Sequence, residues 1–170
     1  MIKRRFVLFA ALIIFVGTVG CRQEFDIDKF NKINAYVNEI LPEIEEAMFD
    51  FDLWCSDLRS AEKRDWLITD ANRIREINQK YLTDDFPSYE EIAGWVVPVS
   101  DGEKEWTIPG DELADVLEQM ELSSTALALL INEINQADDE VFLAAKRAEI
   151  DSALTRALEA SESVRKQFYR

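Results

Sequence analysis

The sequence predicts an all-α protein, an antiparallel helical bundle of four long helices with a small β-hairpin insertion between helices two and three. Three observations support this class. Apolar residues recur at alternating steps of three and four along four segments, which is the spacing of a buried helix face. Five glycines and four prolines in 170 residues favour long unbroken helices. Residues 95–108 instead divide into an apolar and a polar face around Asp101-Gly102, which is typical of a hairpin.

The first helix is predicted to begin at Asp26, a candidate N-cap, and to carry apolar residues as far as Leu58. The main heptad seam is Ile27, Phe30, Asn34, Val37, Leu41, Ile44, Met48, Phe51, Cys55 and Leu58, and a second row is Ile33, Ile40, Ala47 and Trp54. Pro42 lacks a backbone donor and is expected to kink the helix over residues 38–41. Cys55 lies on the seam, so we interpret it as a packed, unreactive thiol.

The second helix is predicted from Ser60, its candidate N-cap, to about Leu82. Its seam is Leu67, Ala71, Ile74, Asn78 and Tyr81. The break at Arg59–Ser60 is weakly marked, so one very long helix is the alternative. Residues 84–88 have turn chemistry, and residues 88–94 are compatible with a helical turn.

The hairpin is predicted to pair its strands around a two-residue turn at Asp101-Gly102. This register places Trp95 opposite Ile108, Val97 opposite Trp106, and Val99 opposite Lys104. These six residues share one face, as a hairpin packed on a core requires. Pro98 removes one ladder donor, so the register can slip or bulge there.

The third helix is predicted to begin after Pro109-Gly110 with Asp111 as its cap, and the fourth after Asp138 or Asp139. The third seam is Leu113, Leu117, Met120, Ser124, Leu127, Ile131 and Ile134. The fourth seam is Leu143, Arg147, Ile150, Leu154, Ala157, Ser161, Val164 and Phe168. Four such seams joined by mostly short loops are typical of an antiparallel bundle.

The first 21 residues have the anatomy of a secretion signal. A basic head of Lys3, Arg4 and Arg5 is followed by the wholly apolar stretch Phe6–Val16, and the segment ends in Gly17-Thr18-Val19-Gly20-Cys21. It resembles the signal peptide and lipobox of a bacterial lipoprotein, over residues 1–21 only, although the family usually has Leu at the position of Thr18. An uncleaved membrane anchor is the alternative, but residues 6–21 fall short of the about 20 apolar residues that a spanning helix needs.

The resemblance implies cleavage before Cys21, diacylglycerol on its sulfur and an acyl chain such as palmitate on the new amine. The expected domains are a signal peptide (1–20), a lipidated cysteine with a short tether (21–25) and a helical-bundle domain (26–170). The expected location is a bacterial cell envelope, with membrane contact through the lipid anchor. Arg22 occupies the position where an inner-membrane retention signal typically has Asp, so an outer-membrane address is favoured if there are two membranes.

The charge balance restricts the possible partners. Removing residues 1–20 takes away three of the 19 basic residues and none of the 34 acids, so the net charge changes from −15 to −18. Such a surface repels phosphate backbones, which excludes nucleic acid. It suits a basic protein partner or divalent cations, although a merely soluble acidic surface is the simpler interpretation. Lipidation of Cys21 would leave Cys55 alone, so no intrachain disulfide is expected.

Histidine is absent from the sequence, which excludes histidine-dependent triads, zinc sites and haem ligation. Phosphate-binding and EF-hand motifs are missing as well. Acid clusters such as Asp84-Asp85 and Asp138-Asp139-Glu140 are better explained as turns and caps than as calcium ligands. We therefore expect no cofactor, no metal and no enzymatic activity.

Three functional hypotheses remain. We expect a non-catalytic binding or assembly module whose partner-binding residues are Trp95, Val97, Trp106 and Ile108, unless that hairpin face only closes one end of the bundle. A carboxylate-based envelope hydrolase would need two facing acids in a cleft, one with a raised pKa. A bundle that holds a small apolar ligand would need an internal cavity lined by Phe30, Phe51 or Trp54.

Overall fold

The computed structural model describes residues 25–100, 105–135, 137 and 139–168. Its elements are α1 (Ile27–Cys55), α2 (Ala61–Tyr81), α3 (Tyr89–Ala93), β1 (Val96–Ser100), β2 (Glu105–Pro109), α4 (Gly110–Glu133) and α5 (Glu140–Phe168). The protein is thus mostly helical with a small antiparallel hairpin between the second and third long helices, which confirms the predicted class at this level. The signal peptide and Cys21 lie outside the described residues. Within them, no helix is long and apolar enough to span a membrane.

The long helices pack as neighbours in the pairs α1–α2, α2–α4, α4–α5 and α1–α5. Polar contacts near the ends of α4 and α5 show their relative direction. Gln167 donates to Glu112 at one end, and Lys146 pairs with Glu133 at the other. The start of one helix therefore lies beside the end of the other, as in an antiparallel pair.

The buried stripe of α1 is centred on the second row of the sequence prediction. The four members of that row are all fully buried: Ile33, Ile40, Ala47 and Trp54. Met48 is 39% exposed, and Asn34 and Cys55 are only half-buried, so these members of the main seam lie at the edge of the stripe. The centre is displaced because α1 packs against both α2 and α5 and turns the side between them inward.

The first two long helices are separate. α1 continues through Pro42 and ends at Cys55, and the chain then turns before α2. The Ser60 hydroxyl accepts a hydrogen bond from the amide of Lys63 at 3.3 Å, which confirms the predicted N-cap. The alternative of one continuous helix is therefore wrong, and Leu58 lies in the turn rather than in α1.

Over the described residues the hairpin has the predicted inner face but a different register, and Lys104 lies outside them. Val97 pairs with Ile108 and Val99 with Trp106, two residues away from the predicted pairing. Because side chains alternate between faces with a period of two, a shift of two leaves the same residues facing inward. The expected two-residue turn at Asp101-Gly102 lies outside the described residues. The pairing of Ser100 with Glu105 leaves four residues, 101–104, to connect the strands.

Proline explains the observed register. The amide of Gly110 donates to the carbonyl of Trp95 at 2.9 Å and so extends the ladder by one hydrogen-bonded pair. Hydrogen-bonded and non-hydrogen-bonded pairs alternate in an antiparallel ladder, which places Pro98 and Pro109 in pairs that need no amide donor. In the observed pairing, therefore, neither proline removes a hydrogen bond from the ladder.

The starts of the last two helices differ from each other. α4 begins at Gly110 with Pro109 at the cap position and no side-chain cap bond, so the prediction of Asp111 as N-cap is wrong. The Asp139 carboxylate accepts from the amide of Val141 at 2.8 Å and confirms one of the two predicted caps of α5.

All seven predicted seam residues of α4 are buried, and in α5 only Arg147 of the eight is exposed.

Gly110 is required where the hairpin joins α4. A Cβ atom at this position would lie 2.1 Å from the Ile92 carbonyl oxygen and 2.6 Å from that of Trp95. Both atoms are backbone, so they cannot move aside as a flexible side chain would.

We expect Gly110→Ala to lower the free energy of unfolding by about 2–4 kcal/mol, because the clash outweighs the better helix propensity of alanine. Gly94→Ala is the matched control, since Gly94 has φ −76° and alanine adopts that conformation readily. Urea denaturation followed by tryptophan fluorescence measures both variants. Equal stabilities of the two variants would contradict the close approach.

Candidate functional site

The residues predicted to bind a partner through the hairpin are packed inside the protein. Trp95 is 2% exposed, and Val97 and Ile108 are fully buried. Trp106 is half-buried, and its indole nitrogen donates to the carbonyl of Gln167 at 3.2 Å. The structure thus brings the four residues together as a cover over one end of the helices, the alternative that the sequence left open. Of the four residues, Trp106 alone keeps a partly exposed side chain.

The residues proposed to line an internal ligand cavity are also packed. Phe30, Phe51 and Trp54 are 2%, 4% and 0% exposed and belong to the common core. Phe30 stacks on Phe168 with ring centroids 5.8 Å apart. Two grooves of about 370 and 470 Å³ lie instead between α2 and α4 and between α4 and α5, and none of these three residues lines them.

The most unusual electrostatic feature is a pair of carboxyl groups between α1 and α2. Asp70 on α2 is buried with only 3% of its surface exposed, and its Oδ2 atom has no hydrogen-bond partner. Asp50 on α1 approaches it closely enough for the two groups to titrate together. Glu43, also on α1, has an unpartnered buried Oε2 atom. We call Asp50 and Asp70 the acid pair.

One arginine partly balances these acids. Nη1 of Arg73 lies 3.8 Å from Oδ1 of Asp70 and 3.6 Å from Oε2 of Glu43. These distances are too long for hydrogen bonds, and the arginine side chain is 53% exposed, so its charge is partly screened by water. The acid pair therefore keeps an excess of negative charge in a mostly buried place.

Burial and charge repulsion set the protonation of the pair. Burial raises the pKa of Asp70 to about 7, against an ordinary value of 3.8. The charge of Asp50, a hydrogen bond with the Asp50 carboxyl group and the charge of Glu43 add to this rise in that order, and Arg73 opposes it. Burial raises the pKa of Asp50 as well, while the hydrogen bond with Asp70 opposes the rise, Glu46 adds to it and Arg73 also opposes it. Two carboxyl groups in this situation share one proton near neutral pH.

The acid pair satisfies one condition of the carboxylate-hydrolase hypothesis, two facing acids with a raised pKa on one. The other condition, access for a substrate, is not met by the observed geometry. The side chain of Asp70 is 4% exposed, and neither of the two grooves is lined by Asp50 or Asp70. The arrangement is therefore suited to making the α1–α2 contact sensitive to pH rather than to holding a substrate.

Sequence reasoning missed the acid pair because the two residues lie beside the apolar seams, where most acids are solvated. Asp50 and Glu43 immediately precede the buried residues Phe51 and Ile44, and Asp70 immediately precedes Ala71. The sequence feature that could have revealed the pair is this position next to the seam on both helices. It identifies the pair only once the relative alignment of α1 and α2 is known.

Cys55 and the acid clusters were the other chemical candidates. Cys55 is half-buried, and burial raises the pKa of its thiol, while Arg147 on α5 opposes that rise. Arg147 is far from Cys55 in the sequence, so this basic neighbour was not predicted. A raised thiol pKa agrees with a packed, unreactive cysteine. Over the described residues, no three histidine, cysteine or acidic side chains are arranged to hold a metal ion.

Comparison with known proteins adds no further constraint on the site. No protein-family model, curated protein or solved structure matches this chain. The functional interpretation therefore rests on the residues and contacts described above.

We expect Asp70→Asn to remove most of the pH dependence of stability between about pH 4 and 7. The folded protein holds the Asp70 proton more tightly than the unfolded chain, so the contribution of Asp70 to stability is fully present below about pH 4 and is lost as the pH rises towards 7. At pH 8 the variant should be more stable than the wild type by about 1–3 kcal/mol, because a buried unpaired charge has been removed.

Urea denaturation at pH 4, 6 and 8 measures this effect. Asp65→Asn is the matched control, because Asp65 is an exposed acid on the same helix, α2. The interpretation fails if the wild type and Asp70→Asn lose stability in parallel as the pH rises.

Proposed function

We propose that the protein is a lipid-anchored component of a bacterial cell envelope and a non-catalytic binding or assembly module. Residues 1–21 support the anchor through their lipoprotein-like signal, with Cys21 as the acylated residue. Two or three acyl chains would give lasting attachment, since each buried methylene contributes about 0.8 kcal/mol. Arg22 favours the outer membrane if the envelope has two membranes.

The contacts of Phe25 are the strongest support for this proposal, because they show at which end of the domain the tether begins. The Phe25 ring lies 5.5 Å from that of Phe30 and 5.7 Å from that of Trp95, at the hairpin end of the protein. Cys21 is four residues earlier, a span of at most about 14 Å. An acyl group on Cys21 would therefore hold the hairpin end close to the lipid surface.

The four long helices would form an antiparallel bundle standing on that end. Their neighbour contacts, α1–α2, α2–α4, α4–α5 and α5–α1, close a ring. The 29 residues of α1 have a length of about 43 Å. The turn between α1 and α2 would thus lie roughly 40 Å farther from the membrane than the hairpin.

The exposed apolar side chains support a binding role for the distal half. Among the residues that the structure describes, five of the seven exposed large apolar side chains lie in the last third of α1, the first third of α2 or the first turn of α5: Met48, Phe49, Trp66, Val141 and Phe142. These segments are close together, since Arg59 pairs with Glu140 across them. With a net charge of −18 after processing, a basic protein is the partner class that the module would attract.

We expect Cys21→Ser to abolish labelling by a fatty acid in living cells and to release the protein from the membrane fraction. The reason is that the acyl chains would be its attachment. Labelling with an alkyne-bearing palmitate analogue, cell fractionation and mass spectrometry of the N-terminal peptide measure this outcome. Cys55→Ser is the matched control and should label and fractionate like the wild type.

Detection of an unmodified thiol at Cys21, or of the uncleaved leader in the exported product, would contradict the lipid-anchor proposal. Release of Cys55→Ser together with Cys21→Ser would also contradict it, because both changes would then act through folding.

A further inference from the structure

The groove between α2 and α4 has a volume of about 370 Å³ and combines apolar and polar walls. Leu82, at the C-cap of α2, and Leu129 on α4 supply apolar surface, and Leu129 is 61% exposed. Arg75 and Gln79 on α2 and Asn132 on α4 add polar groups. A concave surface with an apolar wall and a few converging polar groups is the usual form of a small-molecule site.

The base of the groove is held in place by a hydrogen-bonded amide. Asn78 accepts from the hydroxyl of Tyr36 at 3.0 Å and donates to the hydroxyls of Ser124 and Thr125 at 3.1 and 3.0 Å. These bonds join α1, α2 and α4, so the groove is fixed by the core and does not depend on mobile loops. A preformed site loses less entropy when a ligand binds.

The charge of the groove differs from that of the rest of the protein. None of its lining residues is acidic, although the chain contains 34 acids, and its charged residue is Arg75. Arg75 is exposed, and its Nη2 donates to Oδ1 of Asn72, one turn earlier on α2, at 3.1 Å. The α4 wall is formed from residues 125–132, a stretch without a charged side chain. A ligand with one negative group is therefore complementary to the groove.

We propose that this groove binds a small carboxylate with an apolar chain, either a free fatty acid or the C-terminal carboxylate of an apolar peptide. The carboxylate meets Arg75 and the amides of Gln79 and Asn132, and the chain lies against Leu82 and Leu129. A volume of about 370 Å³ lies near the lower end of the range of about 300–1,000 Å³ for small-molecule pockets, which suits a short ligand such as octanoate. This inference does not depend on the lipid anchor.

Photolabelling tests the proposal on the full chain in nanodiscs of zwitterionic lipid. The probe is octanoate with a diazirine on its chain, and the control probe is the corresponding octanol. Labelled sites are mapped by mass spectrometry as a function of probe concentration. We expect saturable labelling of α2 and α4 at the groove by the carboxylate and at least about tenfold weaker labelling by the alcohol.

Two variants and two competitors make the test specific. Arg75→Gln should raise the half-saturating probe concentration about tenfold, whereas Arg156→Gln, in the groove between α4 and α5, should leave it unchanged. Competition by unlabelled octanoate identifies a fatty-acid site. Competition by Ala-Leu-Leu with a free carboxylate, but not by the same peptide as an amide, identifies a peptide-terminus site.

Several results would overturn the proposal. They are equal labelling by the alcohol, labelling without saturation, labelling mapped outside α2 and α4, and an unchanged half-saturation in Arg75→Gln.

Discussion

The contact of Phe25 with Trp95 is the constraint on which the rest of the structure depends. It fixes the first described residue against the hairpin, and the hairpin in turn is fixed to α4 by the close approach of Gly110 to the backbone of Trp95. Trp95 therefore belongs to the core, and the hairpin closes one end of the helices. The position of this end relative to Cys21 gives the proposed module its orientation.

Two buried polar groups between helices have opposite electrostatic consequences. Asn78 is neutral, and its amide makes hydrogen bonds to α1 and α4, so it can fix the alignment of three helices at little cost. Asp70 is ionisable, and its unpartnered oxygen and its neighbour Asp50 make its charged form costly. The first group stabilises one packing arrangement, whereas the second makes the α1–α2 contact weaker as the pH rises.

Periodicity predicted the helices well because it reports which side of a helix avoids water. The α4 seam and the Ser60 cap depend only on local spacing and local hydrogen bonds, and both were found where expected. The centre of the α1 stripe depended on two neighbouring helices, and the hairpin register depended on a backbone contact at Gly110. The acid pair and the groove require the alignment of separate helices, which spacing along one helix does not contain.

The distance of the hairpin from the lipid surface tests the central claim most directly. A dye is attached to Thr107→Cys in β2 or to Ser56→Cys in the α1–α2 turn, two exposed positions, each in a Cys55→Ser background. Quenching of the dye by a quencher on the lipid headgroups then reports how close each position lies to the membrane. The account predicts strong quenching at position 107 and little at position 56, which would lie roughly 40 Å farther away. Equal quenching at the two positions, or stronger quenching at position 56, would contradict it.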